Sequence, residues 1–522
     1  MAYKGKTVKV SCSKGGVTGA SNVDDIPNYM MVEPTRNIIY EKGGRRKRGG
    51  TAHLYPVVFT GGPTILGLKY VAFDNGTNYL LAATDDGDIY KNNTDKINGS
   101  VLGTSLPYSM EAGDNKVFIA DGVNIPLVWT GAGNAAAISE PSPDFSTYPV
   151  FQFLKHTRGL SERMCALNRR GLFVSAAGSN MQKFVTGAFY FHIDPGDGQG
   201  LCGMVEMGGE VVIFSKTKAW RLDDSSLTTT EWGLNGAQWE GGASNWRLIV
   251  KTPNDVICMQ DDGEIYSVTA VESYGDYKLA SITRGSWMHD WIRSYVDLAK
   301  ISTFHAMFDF ELRAVRFFII KKGSTSTTPS TCLLFYIDRA KEEAWMIEDN
   351  SAAVSGYNAH ASANAPSSTG GSVFYTGDNA GHVWKLNQTN RNDNGAGYYA
   401  GFRTPPDSFG YQEIKKHFNS GNVTAETQGA YDLKARVYID DDLISRNIDM
   451  SLAGDGVLLD TFLLDTDMLA VGTVVDMPFG IGKVGSRIQY EFFNSGINED
   501  FFISGYSTDF KPMGRTSQGG DQ

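Results

Sequence analysis

The feature that most constrains this chain is a short unit recurring along its middle. Leu80-Leu81-Ala82-Ala83-Thr84-Asp85-Asp86-Gly87-Asp88-Ile89-Tyr90 reads as an apolar run, an acidic turn with glycine, and a second run bearing an aromatic. Val256 to Tyr266 repeats it nearly position for position, and Val373 to Trp384 repeats it with one extra turn residue. Weaker copies lie at Val117 to Gly122, at Arg169-Arg170-Gly171-Leu172-Phe173-Val174 and at Glu311 to Ile320, with a strand pair expected at Val211 to Phe214 and Ala219 to Leu222. Asp-Gly between alternating apolar runs signals a two-residue hairpin with both turn residues at positive φ. The units fall roughly 35 to 55 residues apart, the spacing of propeller blades, which bury their faces only against neighbours. Six or seven blades fill the span; stacked β-sandwiches are the competing architecture.

Composition agrees. Among 522 residues stand 59 Gly, 24 Tyr and 28 Phe, a profile of short strands and tight turns rather than long helices. The expected class is therefore all-β. We divide the chain into an N-terminal arm with a basic loop (1–64), a β-propeller (65–390), a β-sandwich (391–510) and a flexible tail (511–522). The sandwich strands are expected at Leu433 to Ile439, Val457 to Leu464, Arg487 to Phe493 and Phe501 to Phe510, with the possibility of completion by strands from elsewhere in the chain. One segment breaks the β pattern. Trp287, Trp291, Tyr295 and Leu298 mark one face of a helix over 286–300, capped by Ser286 and crossing between blades.

Two stretches near the N-terminus invite function. Lys42, Arg45, Arg46, Lys47 and Arg48 crowd five cations into seven residues of a chain with net charge -11, between glycine pairs that permit turns and close approach. Before them runs Tyr29-Met30-Met31-Val32, an apolar arm that needs its own domain or a neighbouring subunit to lie against.

Catalytic motifs are absent: no nucleophile elbow, no phosphate loop, no dinucleotide fingerprint and no paired histidines at metal-ligand spacing. No catalytic residue, metal ligand or cofactor is assigned. Asp85, Asp86, Asp261, Asp262 and Asp378 could serve as the paired acids of a glycoside hydrolase, yet they recur at one place in each repeat, as turn chemistry requires. A glycan-binding or glycan-cleaving propeller is the alternative function. Asp440-Asp441-Asp442 reads as a solvated hairpin tip. Five scattered cysteines suit reduced thiols. No stretch approaches the ~18 apolar residues of a membrane span, and the N-terminus lacks a signal-peptide core, so synthesis in a cytoplasm is expected.

Taken together, Asn28 to Pro34 leading to Arg48-Gly49-Gly50-Thr51, the hairpin array, and the strands Ile488 to Phe492 and Phe502 to Tyr506 running into Phe510 to Arg515 resemble the tail hub, or nozzle, proteins of short-tailed bacteriophages, also called packaged-DNA stabilisation proteins. The resemblance implies a structural virion protein without catalytic residues. It implies a hexameric ring below a portal or adaptor ring, continuing the DNA channel, contacting passing double-stranded DNA non-specifically, and carrying needle, spike or fibre proteins. Under it, Tyr29 to Val32 become a subunit contact. The basic cluster becomes an inter-ring docking or DNA-phosphate element, whose neutralisation leaves folding intact.

Overall fold

The fold was obtained as a computed structural model, which describes residues 5–513 apart from 21, 23–24, 42, 99–105, 159–160, 197, 227–230, 272–275, 285–286, 350–355, 430 and 454–473. Seven four-stranded antiparallel sheets follow one another as propeller blades. Their innermost strands are Ile65–Ala72, Ser109–Gly113, Gln152–Arg158, Leu201–Met207, Ile249–Lys251, His305–Asp309 and Ala361–Pro366. The last of these packs against the first, which closes the ring.

The core lies between blades. Strand Lys116–Ala120 turns Val117 and Ile119 toward blade 1, in a cluster with Leu81 and Ile89, and turns Phe118 and Ala120 toward blade 3, in a cluster with Phe153 and Phe173. Side chains alternate along a strand, so burying both faces makes the whole strand apolar. That is why the repeat reads as unbroken hydrophobic runs.

The blade turns differ from the expected geometry in one respect. At Thr84 to Asp88 only Gly87 has positive φ, at 85°, and at Gln260 to Glu264 only Gly263 does, at 84°. The amide of Gly87 donates to Thr84 O (3.0 Å) and that of Thr84 to Asp88 O (3.0 Å). This is an ordinary turn followed by a left-handed glycine, the three-residue hairpin loop. The aspartates serve it by accepting backbone amides: Asp86 from Asp88 N and Asp262 from Glu264 N. The two-residue turn with both φ positive occurs instead between the first two strands of blade 2 (Asp114 50°, Asn115 54°) and blade 4 (Gly208 60°, Gly209 82°), and at Asp440 (49°) and Asp441 (71°), an exposed hairpin tip as expected there.

Blade 7 draws three strands from 361–388 and its fourth, Gly50–His53, from the N-terminal part of the chain, with His53 opposite Trp384 and Ala52 opposite Lys385. The propeller is therefore closed by a strand that the division at residue 64 had assigned to the arm. The remaining N-terminal strands belong to the sandwich. Its six-stranded sheet joins Lys6–Ser11, Ile38–Glu41 and Gly44–Lys47 to Phe502–Pro512, Lys416–Glu426 and Val474–Gly485. Its five-stranded sheet joins Val32–Arg36 to Ala400–Arg403, Ile488–Asn494, Asp432–Ile439 and Asp442–Ser451. The arm is thus no separate unit, because it supplies four strands to the sandwich and one to the propeller. The expected strand at 457–464 and the tail from 514 lie outside the described residues.

Between its strands the N-terminal chain covers the outer edge of blade 6, where Val17 N donates to Trp345 O and Asn37 N to Ile347 O, both at 2.8 Å. A bare edge would offer unpaired backbone to other chains, and here the protein's own chain takes the place. One hydrophobic cluster runs unbroken from Ile257 and Phe317 in blades 5 and 6 through Met31 and Ile38 to Phe418 and Tyr490 in the sandwich. The helix spans Met288–Tyr295, shorter than expected, and Ser286 is outside the described residues. It buries Met288, Trp291 and Ile292 while Trp287 and Tyr295 stay about half exposed, so the expected aromatic stripe is not the packing face.

Candidate functional site

The basic cluster is inside the protein. Residues Gly44–Lys47 form a strand between Ile38–Glu41 and Phe502–Pro512, reached through Gly43 at φ 82°. Gly50 then passes so close to the 390–392 backbone that a Cβ would lie 2.0 Å from Asn392 O. Arg45, Lys47 and Arg48 are at most 1% exposed. Arg48 forms two parallel bonds to Asp393, at 2.9 and 2.7 Å, with its guanidinium plane between the rings of Tyr357 (4.4 Å) and Tyr398 (3.9 Å). Burial opposes its charge, but Tyr357 and Asp393 outweigh burial and raise its pKa well above the usual arginine value. Arg46 bridges Asp500 (2.6 Å) and Glu41 (2.7 Å). Arg45 donates to the carbonyls of Lys14 and Tyr29 and lies on Phe402. Lys47 sits over Tyr398, and burial lowers its pKa to about 8. These four residues present no docking surface; they tie the arm to the sandwich and to blade 7. Lys42 lies outside the described residues.

The arm is likewise turned inward. Met31 is fully buried and Met30 nearly so, Tyr29 packs against the same cluster, and Val32 pairs with Arg403 in the five-stranded sheet. The structure places these residues against their own chain, in place of the subunit contact.

The recurring acids are also occupied. Asp378 accepts the amides of Ala380 and His382 and the indole N–H of Trp384 (2.9 Å). Asp261 pairs with Lys216 (2.7 Å), and Asp262 lies 3.4 Å from Arg293. Asp85 accepts Thr64 N and Asp86 the Thr84 hydroxyl. Among the described residues no three His, Cys, Asp or Glu side chains gather as a metal site, and no helix is long and apolar enough to cross a membrane.

Two concave features of the described residues belong to the propeller ring. The first is the propeller channel, a cavity of about 390 Å³ lined by innermost strands of all seven blades. Lys69–Glu111 (2.8 Å) and Lys251–Glu206 (3.0 Å) bridge neighbouring blades along its wall. Gln152 ties blade 3 to blade 4 through both the N–H and C=O of Met204. The second is a groove of about 350 Å³ on one face, where the segments entering blades 2 to 5 meet the turns of blades 2 to 4. Leu106, Tyr148, Phe151 and Trp246 give it apolar walls, and Arg169 and Lys216 give it charge. Through Gln199 and Lys216 it opens into a shallower depression ending at Asp261 and Asp262. The signal for this groove was on view in the repeat itself, where Arg169-Arg170 stand in the turn that Asp85-Asp86 occupy in blade 1.

The closure of blade 7 carries a pH dependence. His53, on the closing strand, stacks on His382 with ring centroids 4.3 Å apart, and its Nε2 is buried without a hydrogen-bond partner. Burial first, then His382, lowers the pKa of His53. Burial likewise holds His360 down at about 4 and His305 well below the ordinary value. All three are depressed, so the folded state holds fewer protons than the unfolded one. Their contribution is complete above the ordinary value near 6.5 and is lost as pH falls toward the folded values. Thermal melts are expected to fall as pH drops below about 6.5, with His360 alone costing up to about 2 kcal/mol between pH 6.5 and about 5. His360→Gln should flatten that slope; an unchanged slope would refute the assignment.

No family model and no curated protein matches this sequence. Among solved structures the chain is similar to BBS1N from a complex with ARL6DN, at 9% identity over 66% of this chain and 98% of that chain, TM-score 0.41. It is similar to an exo-beta-1,3-galactanase from Phanerochaete chrysosporium, at 8% identity over 89% of this chain and 100% of that chain, TM-score 0.26. U3-55K matches at 10% identity over 65% of this chain and 98% of that chain, TM-score 0.38. The seven-bladed assignment rests on the strand pairing itself.

Proposed function

We propose that this chain is a structural subunit of a phage tail, a ring-forming hub or nozzle of the short-tailed type. In this reading six copies extend the DNA channel below a portal or adaptor ring and carry needle, spike or fibre proteins. The observation that supports it is where the charge goes. The chain carries a net charge of -11, and its densest run of cations, Arg45 to Arg48, is spent on internal partners. A conduit wall must pass DNA without gripping it, and a protein whose densest cationic run is turned inward repels phosphate more than it binds it. The propeller channel is far too narrow for a duplex, so the DNA would run through the middle of the subunit ring. The shared core of propeller and sandwich suits a subunit that must hold its shape within such a ring.

Sedimentation and negative-stain imaging of the purified protein test this. Closed six-fold rings, together with little retention of duplex DNA on filters near physiological salt, are the expected result. A monomer at every concentration, or tight duplex binding, would overturn the reading.

A further inference from the structure

We propose that the groove on blades 2 to 5 docks an extended acidic segment of a partner protein, with an apolar side chain seated at its blade 2 end. The inference rests on the groove alone and does not require the ring.

Its blade 2 end exposes aliphatic surface. Leu106 is 47% exposed, and Val123 (50%) and Ile125 (43%) follow the turn at Gly122, whose Cβ position lies 3.8 Å from Leu106. Clustered exposed aliphatics on a folded face mark an interaction site. The middle is basic. Arg169 is exposed and its guanidinium has no partner among the described residues, while Arg170 stands beside it with Nη1 bonded to the Tyr148 hydroxyl (2.6 Å). Lys216 is held by Asp261, but both are well exposed, and such a pair exchanges readily for another carboxylate.

Asp121 is the one carboxylate among the described residues lining the main cavity, and it faces inward, accepting the amides of Val123 (2.9 Å) and Asn124 (2.7 Å). The charge left unpaired in this cavity is the exposed Arg169 guanidinium, on a protein that is negative overall, and complementarity selects a negative ligand there. A peptide fits better than a sugar. Aliphatic surface recognises side chains rather than pyranose rings, and of the aromatic walls the Tyr148 ring already holds the Arg170 guanidinium at 4.5 Å.

The test uses the full-length protein and a fluorescein-labelled peptide of glutamates interrupted by two leucines, followed by anisotropy. Saturable binding is expected, weakening with added salt. Replacing the leucines by serine, or the glutamates by lysine, should abolish it. Arg169→Glu and Leu106→Ser should each weaken it by about tenfold or more, while Lys9→Glu, an exposed change on the sandwich, leaves it unchanged. Absence of saturable binding, or equal binding by Arg169→Glu, would overturn the proposal. So would Arg169-dependent binding to an oligosaccharide array without peptide binding, which would make the groove a sugar site.

Discussion

Arg48→Met is expected to lower the free energy of unfolding by about 3–5 kcal/mol, the usual cost of leaving one member of a buried ion pair unpaired. The reason is the isolation of Asp393, which is 1% exposed and has both oxygens engaged by the Arg48 guanidinium. Arg48 also fills the space between Tyr357 and Tyr398, so methionine restores volume but not the two bonds to Asp393. Asp393→Leu alone should cost a similar amount. The double variant should cost less than the sum of the two, because it removes both charges from the interior together. Denaturant unfolding midpoints of the four proteins check this. Wild-type stability in Arg48→Met, accompanied by a loss of assembly, would restore the surface role that the sequence suggested.

The contrast between these two roles shows what charge pattern alone can carry. Five cations in seven residues look like a solvated patch because the segment itself holds no acid and Glu41, just before it, can neutralise only one of them. The other acids that pair with them are Asp393, 345 residues from Arg48, and Asp500, 454 residues from Arg46, so only the folded topology brings them together. The blades were readable for the opposite reason. A turn with Asp and Gly, and the strands on either side, are encoded within a dozen residues, and each blade repeats the code. Blade number stayed at six or seven because blades 3 and 4 turn on Asn168 and on Ser215 to Lys218 rather than on Asp-Gly. The closing strand was not readable at all. Gly50–His53 has no apolar alternation, and its partner strand lies at Val383–Gln388. The groove falls between these cases. Its walls come from irregular segments entering the blades, but the arginines of blade 3 were a departure from the repeat and marked the place.

Removing residues 1–53 should abolish the fold, a loss larger than the roughly 5–15 kcal/mol that holds a typical domain together. The cut takes the outer strand of blade 7, four strands of the sandwich and the segment that covers the edge of blade 6. It also strips Arg48 from Asp393, leaving that buried carboxylate without its cation, and takes Arg46 from Asp500, which keeps only Arg391. Exposed sheet edges in blades 6 and 7 and in both sandwich sheets, with an opened core, would then favour aggregation over a loosened propeller. A truncated chain is accordingly expected to be insoluble, and co-expression with residues 1–64 as a separate fragment is expected to recover soluble protein, since strand pairing does not require the covalent link. A soluble truncated chain with a cooperative melt near that of the intact protein would show instead that the propeller closes without its N-terminal strand.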